Sequence, residues 1–165
     1  MSNSLPFVAQ QESTARHSQR LLDSFQHWTG RSLIEVAGSP LEIARTLFEA
    51  PFVVVSHGTE ANPIFNYGNR KALELWALSW EDFTQMPSRQ SAEPSELPDR
   101  QRLLDAVAQK GFSDGHSGVR ISTTGCRFLL EETLIWNVLD ERGEYIGQAA
   151  TFSQWHFLSS VGSPK

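Results

Sequence analysis

From about Ser13, apolar residues recur every three to four positions. Leu21, Leu22, Phe25 and Trp28 fall on one stripe and Thr29-Gly30 ends it, which predicts an amphipathic helix. A second helix is announced by Ser39 as N-cap, Pro40 at the first helical position and Glu42 three residues after the cap, a partial capping box; it carries Leu41, Ile43, Ala44, Leu47 and Phe48 and ends before Pro51. The period then changes. Phe52 to Val55 is continuously apolar and β-branched, the pattern of a strand covered on both faces. Asn62-Pro63 turns the chain, Ile64-Phe65 forms a short second strand, and Asn66 or Asn69 caps a helix whose stripe is Ala72, Leu73 and Trp76.

Trp80 to Met86 reads as another short helix, and Pro87 to Pro98, with three prolines and three serines, as a loop. Asp99 to Lys110 is helical, with Leu103, Leu104 and Val107 inward and Gly111 at its end. In the last third Val119, Ile121 and Thr123 alternate with Arg120, Ser122 and Thr124, a half-buried strand. Arg127 to Leu139 is a long strand, Asp140 to Gly143 a hairpin turn, and Tyr145 to Trp155 the closing strand. Residues 1–12 are polar and read as a flexible arm, and 159–165 as a tail. The expected architecture is α+β: a five-stranded antiparallel sheet, helices on one face of a core over 51–158, and N-terminal helices over 13–50 packing on the sheet.

The length, 165 residues, suits one domain plus an extension. A net charge of −5, with no basic run longer than two, argues against nucleic acid as partner. The one cysteine, Cys126, excludes an internal disulfide. No apolar run approaches the roughly 20 residues of a membrane span, and Met1 to Glu12 lacks the pattern of a secretion signal, so the expected location is the cytoplasm, with no membrane partner.

Several strings, taken in order, carry a resemblance. They are Leu21-Leu22 with Thr29-Gly30-Arg31, Ala50 through Gly58, Pro63 through Asn69, Ala72-Leu73, Pro87-Ser88-Arg89 with Ser91-Ala92-Glu93, Gly118 through Ser122, Gly125 with Arg127-Phe128, and Gly147 through Ala150. Together, over residues 17 to 157, they make the chain resemble the MEKHLA family, a PAS-like domain. The resemblance implies five antiparallel strands with helices between the second and third. It also implies a sensory or interaction role, and it brings no ligand residue by residue.

Candidate chemistry is sparse. Ser56 and His57 are adjacent in a strand and point to opposite faces, so they form no nucleophile–base pair; they are expected to bond the following turn. The five histidines show no metal-ligand spacing. Gly125-Cys126-Arg127-Phe128-Leu129 resembles the cysteine string of flavin-binding LOV sensors, but it falls in a late hairpin, Gly125 replaces the Asn, and Ala149 stands where the closing-strand Gln belongs, with Gln148 one residue early. No cofactor, metal or catalytic residue is therefore assigned, and an enzyme is not expected.

The candidate ligand-binding set is Asn66, Tyr67, Trp76, Ser88, Arg89, Ser91, Arg120, Trp136 and Gln148. Arg89 between two serines either clamps an anion or locks its loop. Arg120 and Arg127 either join it or lie exposed on the sheet edge. Phe128, Leu130, Leu134, Trp136 and Val138 share one strand face with Glu132, so Glu132 is either bulged outward or paired. Gly147, Ala149 and Thr151 leave space that admits a helix or a small ligand. The expected function is a sensory module holding a small organic ligand between helices and sheet and signalling through protein–protein contact. The competing reading is a dimerisation module whose core is filled by its own side chains. In either case a homodimer through the N-terminal helix and a sheet face is expected. With about eight residues after the last strand, output would need a separate partner.

Overall fold

The computed structural model describes residues 8–158; the arm residues 1–7 and the tail 159–165 lie outside the described residues. Among the described residues five α-helices surround one antiparallel sheet: α1 (Val8–Thr29), α2 (Pro40–Phe48), β1 (Val53–His57), β2 (Phe65–Gly68), α3 (Arg70–Trp76), α4 (Trp80–Phe83), α5 (Leu97–Lys110), β3 (Phe112–Ile121), β4 (Arg127–Leu139), β5 (Tyr145–Phe152) and β6 (Gln154–Phe157). The spatial order is β2-β1-β5-β4-β3, with β6 pairing the first half of β4. The first helix begins at Val8, five residues before the expected Ser13, so residues 8–12 are helix and not arm.

Local signals explain most elements. The Ser39 hydroxyl accepts from Glu42 N–H at 3.2 Å and the Glu42 carboxylate accepts from Ser39 N–H at 2.8 Å, so the capping box is complete. Asn69, not Asn66, caps α3. Within the expected loop 87–98, two 3₁₀ turns form at Ser88–Ser91 and Pro94–Glu96, and α5 already starts at Leu97, with Pro98 in its first turn, where a missing N–H costs nothing. β3 starts at Phe112, seven residues before the alternation that predicts it. Its polar first half is held by pairing along β4, which supplies the order its own pattern lacks.

Two irregularities decide which side chain faces which layer. Glu132 has φ of +53° and is exposed, and the β3–β4 register slips there between His116↔Thr133 and Gly118↔Leu130. This is the bulge alternative for Glu132, and it flips the face of everything after it. Phe128 and Leu130 pack with Phe65, Trp76 and Phe83 beneath α3 and α4, whereas Leu134, Trp136 and Val138 pack with Leu21 and Phe25 of α1 on the opposite side. The expectation of one continuous apolar face is thus corrected. The closing strand is likewise two strands, broken at Ser153 opposite that bulge, so that β5 pairs Leu134 onward and β6 pairs Phe128 to Glu131.

α1 is a full layer of the fold. Its Leu21 carbonyl accepts from Trp136 Nε1 (3.2 Å), Trp28 Nε1 donates to the Asn137 carbonyl (2.8 Å), Ser24 Oγ accepts from Leu139 N–H (2.8 Å), and Arg20 forks onto Glu141. The small Ala149 faces α1, so the space foreseen beside the closing strand admits this helix.

Candidate functional site

The inner face of the sheet is filled unevenly. Between β1–β2 and α3–α4, Phe65 stacks on Phe83 with ring centroids 4.2 Å apart, and Trp76 meets Phe128 edge-on at 5.3 Å. Between β1, β4, β5 and α5 a cavity of about 280 Å³ persists. Val55, Leu103, Leu130, Ile135 and Phe152 form its apolar wall; Asp99 and Ser117, both exposed, stand at its rim. α5 is positioned over it by Gln148, whose Nε2 donates to the Leu104 carbonyl (2.9 Å) and to Asn137 Oδ1 (3.2 Å), and by Asn137 Nδ2, which donates to the Ala108 carbonyl (3.2 Å).

Polar groups converge on this cavity. His57 Nδ1 lies 3.0 Å from the Gly58 carbonyl, which only accepts, so Nδ1 carries the hydrogen and the buried Nε2 presents a lone pair. Burial first, then the nearby Arg100 charge, push His57 below its ordinary value, against the Gly58 bond, and keep it neutral. His57 Nε2, Trp76 Nε1 and Thr133 Oγ1 are buried without a protein hydrogen-bond partner among the described residues, and all three residues line the cavity. Arg100 from α5 and Arg120 from β3 face one another across it. Burial, with the Arg120 charge adding, holds Arg100 down to about 10, and burial lowers Arg120 against the pull of Glu96.

Of the nine candidate residues, the fold brings Trp76, Ser91, Arg120 and Gln148 to the cavity wall. Ser88 stands behind it, its hydroxyl accepting from Arg100 Nη2 at 3.0 Å. Arg89 is exposed and outside the cavity, because the 3₁₀ turn buries the serines on either side of it and turns Arg89 outward. Trp136 is on the other side of the sheet under α1, displaced by the Glu132 bulge. Arg127 pairs with Glu93 at 3.0 Å. Arg120 points inward while its neighbours Val119 and Ile121 take the other face, the reverse of the expected alternation. Arg100 and His116 escape sequence reading; His57 bonds the Gly58 carbonyl of the following turn as expected, and its place on the cavity wall is what the sequence does not show. Arg100 sits in the polar run Asp99-Arg100-Gln101-Arg102, which has the look of a solvated helix face. Cys126 lies in the β3–β4 turn and is not part of the cavity wall.

Asn66 and Tyr67 belong to a separate cleft between α1 and β2. Ser56 points there, opposite to His57, and bonds Asn66 and His17 in place of the expected turn: its hydroxyl donates to Asn66 Oδ1, so His17 Nε2 donates to Ser56 Oγ at 2.9 Å. Tyr67 is fully buried and its hydroxyl is pushed upward by that burial. His17 is lowered to about 4 by burial and, secondarily, by Arg20, against the upward pull of the Asn66 side chain. Its folded value lies below the unfolded one, so the native state holds fewer protons. The corresponding stability is complete above about pH 6.5 and is lost as the pH falls toward 4, amounting to about 2–3 kcal/mol. His57 titrates in the same sense. In thermal melts at pH 7.5 and 4.5, His17→Gln is therefore expected to lose less stability on acidification than the parent. An equal loss would place the acid sensitivity elsewhere.

No helix among the described residues is long and apolar enough to cross a membrane. The family model of the MEKHLA domain matches residues 15–157. No curated protein matches the sequence. Among solved structures, a PAS domain from Colwellia psychrerythraea is 14% identical at a TM-score of 0.58, covering 71% of this chain and 94% of its own. An RNA-binding light-oxygen-voltage receptor is 15% identical at 0.59, covering 73% of this chain but 34% of its own. The light-state dimer of the fungal blue-light photoreceptor Vivid is 16% identical at 0.53, covering 79% and 88%. At such identities the shared property is the fold, that of PAS and light-oxygen-voltage sensory domains.

Proposed function

The chain belongs to the MEKHLA domain family, and we propose that it acts as a PAS-like sensory module that holds a small organic ligand in the cavity between the sheet and α5 and signals through protein–protein contact. The observation that carries this reading is the trio of buried, unpartnered polar atoms, His57 Nε2, Trp76 Nε1 and Thr133 Oγ1, on residues that line the cavity beside its apolar wall. A buried polar atom without a partner costs about 1–3 kcal/mol, and a self-filled core would place hydrocarbon at these positions. The cavity is small for a ligand pocket, near the lower end of the roughly 300–1,000 Å³ range, so a metabolite-sized molecule is the fitting occupant. Binding without turnover fits the site, since His57 and Ser56 face opposite layers. Ligand state would reach a partner or a second copy through α5 and α1; because α1 spends its apolar stripe on the sheet, a homodimer would use its outer side. The cytoplasm is the proposed location.

A ligand-free dimerisation module is the second reading. The Phe65–Phe83 stack favours it, because it closes the other half of the inner face. Native mass spectrometry of the purified full chain separates the two. Added small-molecule mass that leaves on denaturation is expected. A dimer of bare polypeptide mass would support the second reading.

A further inference from the structure

Among the described residues Arg20, Arg70, Arg102 and Arg127 each pair with a carboxylate, and Arg16, Arg31, Arg45, Arg89 and Arg142 are exposed. Arg100 and Arg120, the two on the cavity wall, have no carboxylate within ion-pair distance among the described residues. Each makes a single hydrogen bond, Arg100 to Ser88 Oγ (3.0 Å) and Arg120 to the Val119 carbonyl (3.1 Å), which leaves most of the five N–H donors of each guanidinium unused. The two acids nearby are engaged elsewhere: Glu96 Oε1 accepts from Val119 N–H at 2.9 Å, and Asp99 pairs with Arg102. Two like charges sharing a partly desolvated cavity, with the Arg120 charge lowering Arg100, are costly unless an anion joins them.

Resting on the ligand-binding reading above, we infer that the cavity takes a small organic monocarboxylate. Arg100 and Arg120 clamp its carboxylate, the wall of Leu103, Leu130, Ile135 and Phe152 covers an apolar body, and His57 Nε2 accepts a hydrogen bond from a hydroxyl or N–H on that body. The charge balance selects a monoanion: Asp99 is neutralised by Arg102 and Glu96 offsets one of the two guanidinium charges, so the lining keeps one net positive charge, which a monoanion balances and a phosphate dianion exceeds. The planar guanidinium fork suits a carboxylate edge. The remote lone pair and the apolar wall suit an acid that carries a hydroxyl or N–H at its far end.

The test is calorimetric titration of the full chain after exhaustive dialysis, with four probes: 4-hydroxyphenylacetate, its uncharged amide, phenylacetate and inorganic phosphate. The hydroxy acid is expected to bind at least tenfold tighter than the amide and several-fold tighter than phenylacetate. Arg100→Gln and Arg120→Gln are each expected to weaken the acid about tenfold or more and to leave the amide unchanged. Arg100→Lys keeps the charge but loses the fork, and serves if a Gln variant melts too low to assay; a several-fold loss is expected. Equal binding of acid and amide, or arginine variants that bind the acid as the parent does, would overturn the anion assignment and leave the small-ligand reading standing. Phosphate binding as tight as the acid would overturn the carboxylate in favour of phosphate. If no probe binds, the co-purified mass decides: a carboxylic acid supports the inference, a neutral or cationic compound overturns it, and bare protein overturns both readings.

Discussion

Asn69→Ala is expected to lower the unfolding free energy by about 4 kcal/mol, read as a fall in the urea midpoint at unchanged slope. The Asn69 side chain is fully buried and all its bonding capacity visible in the fold is used. Its Oδ1 accepts from Val54 N–H (3.1 Å) and from Ala72 N–H (3.2 Å); its Nδ2 donates to the Phe52 carbonyl (2.8 Å) and, more weakly, to the Leu47 carbonyl (3.4 Å). One amide thus caps α3, starts β1 and holds the end of α2. Alanine leaves two N–H groups and the Phe52 carbonyl at a dry junction, each costing about 1–3 kcal/mol where water does not reach it, while the Leu47 carbonyl keeps Ala50 N–H at 3.2 Å. The cap alone accounts for only about 1 kcal/mol of this. Asn69→Asp separates the roles, since aspartate still accepts both N–H groups but turns its charge toward two carbonyls. Its deficit is expected to be smaller than that of alanine and to shrink as the pH falls, because the protonated acid can donate. A loss below about 1 kcal/mol for alanine would show the junction to be hydrated and the reading of it as a dry three-way joint wrong.

Gly147→Ala is expected to be comparably damaging and to reach the cavity as well. Gly147 has φ of +150°, and a Cβ built there falls well inside contact distance of the His57 carbonyl oxygen on the neighbouring β1. The obstacle is backbone, held by β1–β5 pairing from Val53↔Phe152 to His57↔Gln148, so it does not move aside cheaply. A strained backbone adds about 1–3 kcal/mol to the clash, for a total of about 4 kcal/mol with overpacking of about 1–3 kcal/mol. Displacing His57 also shifts its imidazole on the cavity wall, so ligand retention in native mass spectra is expected to drop. Gly115→Ala is the control: φ is +76° with nothing within 4 Å of the added methyl, so only the backbone cost of about 1–2 kcal/mol applies. Equal losses at the two positions would show that the β1–β5 approach is not what requires glycine.

The legibility of this protein in its sequence follows the range of the force involved. β4 has the bounds its apolar pattern predicts, and the Asp140 to Gly143 turn and the Ser39 N-cap of α2 also form as read, because each is settled by contacts among residues a few positions apart. The first half of β3 is not legible because Ser113 to Gly118 has no period of its own and takes its order from β4. The layer of Trp136 is not legible because one extra residue at Glu132 inverts a two-residue period, and nothing in the local apolar pattern marks where that residue is inserted. Arg89 leaves the site and Arg100 enters it for a related reason. A 3₁₀ turn rotates Arg89 to solvent, while the approach of α5 to β3 and β4 brings Arg100, within a polar helical run, over the sheet.

By itself the chain determined most of the elements, their order, and that they make a PAS-like sheet with an amphipathic helix to cover its second side, since periodicity, capping and turn chemistry are local and additive. Only the tertiary structure decided where the sheet stays unfilled and which charges meet there. Those outcomes depend on bulges that flip whole strand faces and on the approach of segments far apart in sequence, where the desolvation of Arg100, Arg120 and His57 is set by neighbours that no window of the sequence contains.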